Sequence, residues 1–413
     1  MLIRTACAND FEGVLRLVKN TGCDEAARVL LAKKGLFLRL VIERIDNRAA
    51  NILKQEAISC GADVSVNENV SRFKKGFSDA VLFATLKQLE ILKNKLCLQP
   101  FGLKDAAKSI ENIIRETVKN QKFFSYKNKK IDFSKSLKPT KSVKPTKLVK
   151  PTKLVKPKVM GIINLSPDSF SGDAAASVYE AVRRAQEFER LGCSVIDIGA
   201  ESSRPGSMPV DAKTEIKRLM PALKAVRKKV RIALSVDTYK LETAKAALSE
   251  GADIINDIYA LRKGGKELGR LIAREKAGLI LMHMRGTPLN MQKKPLYKNC
   301  VSQVYEFLQN QKDFALECGV KESFIAVDPG IGFGKTAAHN MELIKNMKVF
   351  SALGTVVAGV SRKKFVRETA GESISAFTAA NFLASLSGAD IIRVHDVKET
   401  INVLKLIEAF RSA

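Results

Sequence analysis

Residues 231–258 read RIALSVDTYKLETAKAALSEGADIINDI, two short apolar runs separated by a segment with helical periodicity. The runs are rich in Val and Ile, and each stops abruptly in charged or amide residues. Such runs are typical of strands that are buried on both faces of a parallel sheet. The stretch therefore predicts a strand, a crossover helix and a second parallel strand.

The same unit recurs along the chain after residue 158. Eight apolar runs, each followed by a helix-period segment, occupy residues 159–165, 194–200, 231–237, 252–258, 278–284, 324–330, 355–362 and 389–396. Eight strand–helix repeats over about 250 residues predict an α/β protein whose C-terminal part is a (β/α)8 TIM barrel. Because the carboxyl ends of barrel strands meet at one face, we expect the polar residues at the strand ends to converge there.

The basic charge of the chain is concentrated in one segment. The chain has 413 residues, too long for one ordinary domain, and 70 Lys and Arg against 43 Asp and Glu give a net charge of +27. Such an excess first suggests nucleic acid or an acidic membrane surface as a partner. Nearly half of it falls in residues 119–158, which hold fourteen Lys and one acidic residue, Asp132.

A hexamer repeat fills residues 138–158, which read KPTKSV, KPTKLV, KPTKLV and KPK. Proline removes backbone donors and favours extended neighbours, while the lysines repel one another. We predict a flexible basic linker over residues 118–157, between a small N-terminal domain and a barrel at residues 158–413. No aromatic residue interleaves the repeat, so a solvated tether is favoured over nucleic-acid binding by the linker.

The N-terminal domain, residues 1–117, combines helical and strand patterns. Helices are predicted at DFEGVLRLVKN and at NRAANILKQEAISCG, which closes at Gly61, and strands at LFLRLVIERI, ADVSVN and DAVLFAT, with further helices to about residue 117. This is a smaller α/β domain with no histidine, metal-ligand cluster or glycine-rich phosphate loop. We expect a docking or stabilising role, and the pattern does not define it further.

Cysteine usage and hydropathy favour a cytoplasmic protein. The seven cysteines are odd in number, scattered and never spaced as CxxC, which argues against a disulfide framework or a zinc site. The N-terminus has an acidic residue by position 10, and no run approaches eighteen apolar residues. We therefore expect neither a signal peptide nor a membrane partner.

Three strand ends carry hydrogen-bond acceptors. Asp237, Asn256 and Asp328 follow three of the predicted strands, where they suit a flat heterocycle with a guanidine-like edge. A single Asp at such a position is more often a loop cap, but three at successive strand ends are hard to attribute to capping. Asn164 ends the first strand, and its amide oxygen suits Mg²⁺, although it too can cap a loop.

Cations follow the last two strands. Ser361 and Lys363 come after the seventh strand, and Arg393 and His395 lie on one face of the eighth, where TIM barrels commonly bind phosphate. His283 is equally consistent with a hydrogen-bonded core residue. The run GIGFGKT (330–336) resembles a phosphate loop, but Pro329 occupies the position of its first glycine. We interpret it as a glycine-rich turn from which Lys335 could reach the mouth of the barrel, the face where the carboxyl ends of the strands meet.

The motifs MGIINLSPDSFSGD, DIGAESSRPGS, LSVDT, IINDI, MHMRGTP, DPGIGFGKT, SRKKF and RVHDV together resemble the dihydropteroate synthases of the pterin-binding TIM-barrel family. The resemblance runs from about residue 159 to residue 411. It implies a transferase of folate biosynthesis that condenses 6-hydroxymethyl-7,8-dihydropterin diphosphate with p-aminobenzoate and releases pyrophosphate. It also implies Mg²⁺ as cofactor and a homodimer formed through barrel helices.

The resemblance assigns roles to individual residues. It implies pterin contacts for Asp237, Asn256, Asp328 and Lys363, diphosphate contacts for Asn164, Arg204, Arg393 and His395, Mg²⁺ on Asn164, and p-aminobenzoate contacts for Phe170, Ser203, Arg204, Pro205 and Ser361. Lys363, Asp237, Arg393 and His395 are the expected catalytic residues. Ser166 and Ser203 stand where many members have Thr, which keeps the hydroxyl group, and the first loop is shorter and less glycine-rich than usual.

Three alternatives stay open on the residues alone. A methyltetrahydrofolate:corrinoid methyltransferase would use the same pterin pocket, but it is not expected to combine the SRK, ESSRPG and SPDSF sequences. A non-catalytic nucleic-acid-binding protein would show salt-sensitive binding that depends on residues 119–158. A pathway enzyme fused in residues 1–117, such as a pterin pyrophosphokinase, would need signature residues that are not found there.

Overall fold

The computed structural model describes residues 8, 10–118, 123–133, 157–165 and 178–412. The chain divides into two compact units, residues 1–120 and residues 121–413. Among the described helices, none has both the length and the apolar composition needed to cross a lipid bilayer.

The N-terminal unit is an α/β fold with a three-stranded sheet. Its elements are α1 (Phe11–Asn20), α2 (Glu25–Gly35), β1 (Phe37–Asp46), α3 (Asn47–Ile58), β2 (Asp63–Val66), α4 (Glu68–Ser71), β3 (Phe77–Thr85), α5 (Leu86–Leu96) and α6 (Leu103–Val118). The strands pair antiparallel in the order β1-β3-β2, and α3, α5 and α6 share a leucine-rich core with them. Asp10 caps α1 by accepting a hydrogen bond from the Gly13 amide at 2.7 Å, as expected for a short polar residue at this position.

The second unit is a closed parallel barrel with one antiparallel hairpin. Its elements are β4 (Phe123–Tyr126), β5 (Lys129–Asp132), β6 (Lys158–Asn164), α7 (Val178–Leu191), β7 (Val195–Gly199), α8 (Ala212–Lys229), β8 (Ala233–Asp237), α9 (Leu241–Ser249), β9 (Ile254–Asp257), α10 (Gly265–Arg274), β10 (Gly278–Met282), α11 (Cys300–Glu317), β11 (Ile325–Asp328), α12 (Ala337–Lys345), β12 (Thr355–Ala358), α13 (Lys364–Ala370), α14 (Ile374–Leu386), β13 (Ile391–Val394) and α15 (Val397–Ser412). Strands β6 to β13 close the barrel in chain order, which confirms the predicted (β/α)8 fold.

Each barrel strand buries both of its faces. The outward side chains, such as Ile163, Val236 and Val394, join the helices in one large core. The inward side chains near the amino ends form an apolar ring with one residue from each strand: Met160, Val195, Ala233, Ile254, Ile280, Ala326, Val357 and Ile391. Burial on both faces explains why the strands read as continuous apolar runs.

The hairpin of β4 and β5 covers this apolar ring. Phe124 and Phe133 are fully buried against it, together with Tyr126 and Ile131. The fit is close, because a Cβ added to Gly278 at the start of β10 would lie 2.8 Å from Phe124 Cζ. The hairpin therefore closes the amino-terminal end of the barrel, which we call the floor.

The hairpin changes the predicted domain boundary. Residues 123–133 were expected within the linker at 118–157, but their alternate apolar side chains are buried and they belong to the barrel unit. Most of the Lys-Pro repeat lies in residues 134–156, which are outside the described residues. Since Phe133 and Pro157 both belong to residues 121–413, the repeat connects the hairpin with β6, and the join between the two units falls near residue 120.

Candidate active site

The predicted site residues that the structure describes gather at the carboxyl ends of the barrel strands. They are Asn164 on β6, Ser203, Arg204 and Pro205 after β7, Asp237 on β8, Asn256 on β9, Asp328 on β11, Ser361 and Lys363 after β12, and Arg393 and His395 at β13. Phe170, the remaining predicted residue, lies outside the described residues.

The two-residue period of the strands directs polar side chains into the barrel. Two positions after the apolar ring, four strands carry Asp197, Asn256, Asp328 and Arg393. Four positions after the ring, β6 and β8 carry Asn164 and Asp237. Pairing across β6, β7, β8 and β9 sets Asn164, Gly199, Asp237 and Asn256 in one row.

Arg393 lies between two carboxylates inside the barrel. Its Nε donates to Asp197 Oδ2 at 2.7 Å, and its Nη2 donates to Asp237 Oδ2 at 2.9 Å. Asn256 Nδ2 donates to the same Asp197 oxygen at 3.1 Å. Asp197 is fully buried, and its Oδ1 has no hydrogen-bond partner among the described residues. Asp197 thus belongs to the site, although no role was predicted for it from the sequence.

Burial raises the pKa of both carboxylates that are predicted to bind the pterin, Asp237 and Asp328. It raises the pKa of Asp237 to about 7, while Arg393 acts in the opposite direction. Burial also raises the pKa of Asp328, against hydrogen bonding from Gly330 N to Asp328 Oδ1 at 2.7 Å and the charge of Lys363. Asp328 therefore acts both as a loop cap and as a buried charge in the site. Asp257, by contrast, only caps its loop, accepting from the amides of Tyr259 and Leu261.

Lys363 follows β12, the strand next to β11, which carries Asp328. It precedes α13, and its Nζ is 3.9 Å from the centroid of the Phe333 ring. Burial and the neighbouring Arg393 lower the pKa of Lys363 to about 8, although Asp328 and Asp237 act in the opposite direction. The lysine is thus a cation near two carboxylates and one aromatic face.

His395 and Ser361 contact each other at the ends of the neighbouring strands β13 and β12. Ser361 Oγ lies 3.3 Å from His395 Nδ1, and the His395 amide donates to the same oxygen. Burial, together with Arg393, Arg362 and other cations, lowers the pKa of His395 to about 3. His395 is therefore neutral near pH 7 and able to donate one ring hydrogen bond.

The loop after β7 carries the predicted p-aminobenzoate residues. Ser203 is half-buried, whereas Arg204 and Pro205 are exposed. The Gly206 amide donates to the Pro288 carbonyl at 2.9 Å, which joins this loop to the loop after β10.

A buried ionic network holds the start of the β7 loop. Lys240 Nζ donates to Glu201 and, at 3.0 Å, to Glu215 Oε2, while Tyr239 Oη donates to Glu201 at 3.2 Å. Because these partners follow β7 and β8, the network fixes the base of the loop beside Asp237.

Asn164 is the residue expected to hold Mg²⁺ at the mouth. A Cβ added to Gly199 would lie 3.3 Å from Asp237 Cβ and 3.8 Å from both Asn164 Oδ1 and Asp237 Oδ2, so glycine lets these two side chains approach each other closely. Within the described ranges, no three His, Cys, Asp or Glu side chains are grouped to hold a metal. A single amide oxygen such as Asn164 Oδ1 still suits Mg²⁺, which keeps several waters and takes phosphate oxygens as further ligands.

Comparisons with known proteins match the barrel part of the chain. Residues 160–395 match the pterin binding enzyme family. The Escherichia coli K12 dihydropteroate synthase is 37% identical over 263 residues, which cover 62% of this chain and 92% of that protein. The Yersinia pestis dihydropteroate synthase, solved with a sulfonamide drug, shares 32% identity at a TM-score of 0.62 and covers 70% of this chain and 100% of its own. The Xanthomonas albilineans enzyme, solved with 4-aminobenzoic acid, shares 34% identity at a TM-score of 0.58, covering 62% of this chain and 94% of its own.

The family match covers more than half of the chain, and the chain therefore belongs to the pterin-binding enzymes. The alignment with the Escherichia coli enzyme covers 92% of that protein and identifies the activity within the family. The chain has dihydropteroate synthase activity and is a transferase of folate biosynthesis.

Proposed function

We propose that the barrel mouth binds the pterin ring of 6-hydroxymethyl-7,8-dihydropterin diphosphate among Asp237, Asn256, Asp328 and Lys363. The observation that carries this proposal is their convergence inside one barrel end, where Asn256 and Asp328 are buried and Asp237 and Lys363 are half-buried. A carboxylate binds a guanidine-like edge through two parallel hydrogen bonds. The Asn256 amide supplies one donor and one acceptor beside Asp237.

The diphosphate then lies toward Asn164, Arg204, Arg393 and His395. Neutral His395 donates a hydrogen bond, and Arg393 supplies a charge that Asp197 and Asp237 hold in place. The Asn164 amide oxygen suits Mg²⁺, which would neutralise charge on the leaving pyrophosphate. Ser203, Arg204, Pro205 and Ser361, with Phe170, frame p-aminobenzoate, whose carboxylate suits Arg204.

The reaction needs no covalent bond to the protein. The C–O bond between the exocyclic methylene carbon of the pterin and the diphosphate breaks first, and the aryl amine nitrogen then forms a bond with that carbon. The electron pair leaves with the diphosphate, and the amine loses a proton. We propose a dissociative transfer in which Asp237 and Lys363 hold the ring, while Arg393 and His395 stabilise the departing charge.

We also propose that two copies pair through barrel helices. Ile374 and Leu383 on α14 and Leu406 on the adjacent α15 are at least half exposed. Apolar side chains of this size are common in dimer interfaces. Light scattering of the Leu383→Asp variant tests the proposal, and a wild-type monomer would overturn it.

Pyrophosphate release by Asp237→Ala and Lys363→Ala tests the site. We expect at least about a thousandfold loss of turnover in each variant. Lys364→Ala is the matched control, because its side chain is exposed and pairs only with Glu368 in the next helical turn. Circular dichroism should show a folded barrel in all three, and normal turnover in either site variant would refute the assignment.

A further inference from the structure

Lys335 is a buried lysine in the turn that follows β11. It ends the GIGFGK turn between β11 and α12, and it is 3% exposed. Its Nζ lies 2.9 Å from His283 Nδ1, 2.9 Å from the Gly330 carbonyl and 3.0 Å from the Phe333 carbonyl. Two carbonyls of its own turn and the ring of His283 after β10 thus hold the ammonium group.

The three partners match the three donors of an ammonium group. Two are carbonyl oxygens, and the third is a ring nitrogen that accepts when the other ring nitrogen carries the proton. Burial and the charge of Lys335 lower the pKa of His283, so the imidazole is neutral and serves as the third acceptor. His283 is thus a hydrogen-bonded core residue, one of the two readings of the sequence.

The turn that Lys335 holds carries two groups of the pterin site. Asp328 at its start accepts from the Gly330 amide, and the Phe333 ring faces Lys363. Gly330 has φ of +67°, and a Cβ there would lie 1.8 Å from the His283 carbonyl. This backbone conformation and close approach require glycine. The turn therefore packs directly on the end of β10 at Gly330, the residue whose carbonyl accepts from Lys335.

Other hydrogen bonds also hold the turn. Gln292 donates to the Gly332 carbonyl at 2.9 Å, and Tyr297 donates to the Gly334 carbonyl at 2.9 Å. Lys335 instead donates to the carbonyls of Gly330 and Phe333, which lie on either side of Gly332. Its bonds therefore fix the backbone at Gly330, whose amide donates to Asp328, and at Phe333, whose ring faces Lys363.

We propose that Lys335, with His283, is a positioning residue that sets Asp328 and Phe333 against Lys363 for pterin binding. The proposal rests on the pterin-binding function proposed for this mouth. Lys335 does not touch the substrate. Without its three bonds the turn relaxes, and the geometry between Asp328 and Lys363 is lost.

Calorimetric titration of the full-length protein with the pterin diphosphate and Mg²⁺ tests the inference. Lys335→Met should weaken pterin binding at least about tenfold, since displacements near 1 Å in a site have effects of this size. The KM for p-aminobenzoate at saturating pterin should change less than about twofold, because its predicted contacts lie on other loops. Lys312→Met is the matched control. Lys312 is another buried lysine, on α11, and its Nζ pairs with Glu322 at 2.8 Å.

A second pair of variants keeps the test decisive if Lys335→Met does not fold. His283→Asn places an acceptor oxygen where Nδ1 stood and should retain pterin affinity, whereas His283→Leu removes the acceptor and should lose it. Equal pterin affinity in wild type, Lys335→Met and His283→Leu would overturn the inference, as would an equal loss in Lys312→Met. If wild type itself does not bind pterin, the proposed function fails instead.

Discussion

The two ends of the barrel are lined by the same eight strands, yet they have opposite chemistry. At the floor, eight inward side chains from Met160 to Ile391 are apolar and meet the hairpin. Two to four residues further along the same strands, the inward side chains include Asp197, Asp237, Asp328 and Arg393. One strand periodicity thus builds a packed core at one end and a charged cavity at the other.

The comparison separates what stabilises the barrel from what it is used for. Burying a large apolar side chain contributes about 1.5–3 kcal/mol. Buried charges instead cost free energy unless they are paired. The raised pKa of Asp237 and the lowered pKa of Lys363 show that burial opposes the charge on both groups. We infer that the free energy gained by apolar packing at the floor offsets the cost of burying charged groups at the mouth.

Truncation should give the largest effect. A fragment of residues 158–413 lacks the hairpin, so the apolar ring is exposed and Phe124, Ile131 and Phe133 are missing from the floor. At about 1.5–3 kcal/mol each, their loss is comparable with the whole stability of many domains. We expect this fragment to aggregate, while residues 121–413 fold and release pyrophosphate. Equal solubility and activity of the two fragments would contradict a stabilising floor.

A single substitution at the floor should reduce stability without changing catalysis. Phe124→Ala should lower the free energy of unfolding in urea by about 3–5 kcal/mol, while kcat/KM of the folded protein changes less than about twofold. Phe123→Ala is the control, because this neighbour is 38% exposed on the same hairpin. Equal destabilisation by both would show that the hairpin does not pack on the ring.

A substitution in the mouth should act on catalysis first. Asp197→Asn keeps the shape of the side chain but removes the charge that holds Arg393. We expect kcat/KM to fall by about a hundredfold, because one misplaced group in a site has effects of this order. Steady-state kinetics measures this, and unchanged kinetics would exclude Asp197 from the site.

The pH profile should give the smallest effect. Since the pKa of Lys363 is lowered to about 8, its ammonium loses the proton as pH rises through that value, and kcat/KM should fall. Since the pKa of Asp237 is raised to about 7, protonation on the acid side should also reduce kcat/KM. Lys363→Arg should move only the alkaline limb upward, and an unmoved limb would assign it to another group.

The sequence predicted the barrel well because the signal is local. Each strand appears as an apolar run, and Asp237, Asn256 and Asp328 are visible at run ends. The hairpin was missed because its lysines masked the alternation in FFSY and KID, a pattern that favours strands. A strand assignment there would have shortened the predicted linker.

Side-chain partners were harder to predict. The pairing of Arg393 with Asp197 joins residues 196 positions apart, which depends on how the barrel closes. Asp197 lies two residues after the inward-facing Val195, so the strand periodicity could have placed its side chain inside the barrel. The partners of Lys335 could not be predicted either, because a sequence does not show whether a lysine after a glycine-rich turn points outward or back into the turn.

A crystal structure with the pterin diphosphate bound tests the central claim most directly. We predict that the guanidine-like edge of the ring lies within about 3 Å of the carboxylate of Asp237 or Asp328, with the Asn256 amide beside it. A ring bound outside the ends of β8, β9 and β11 would contradict the account.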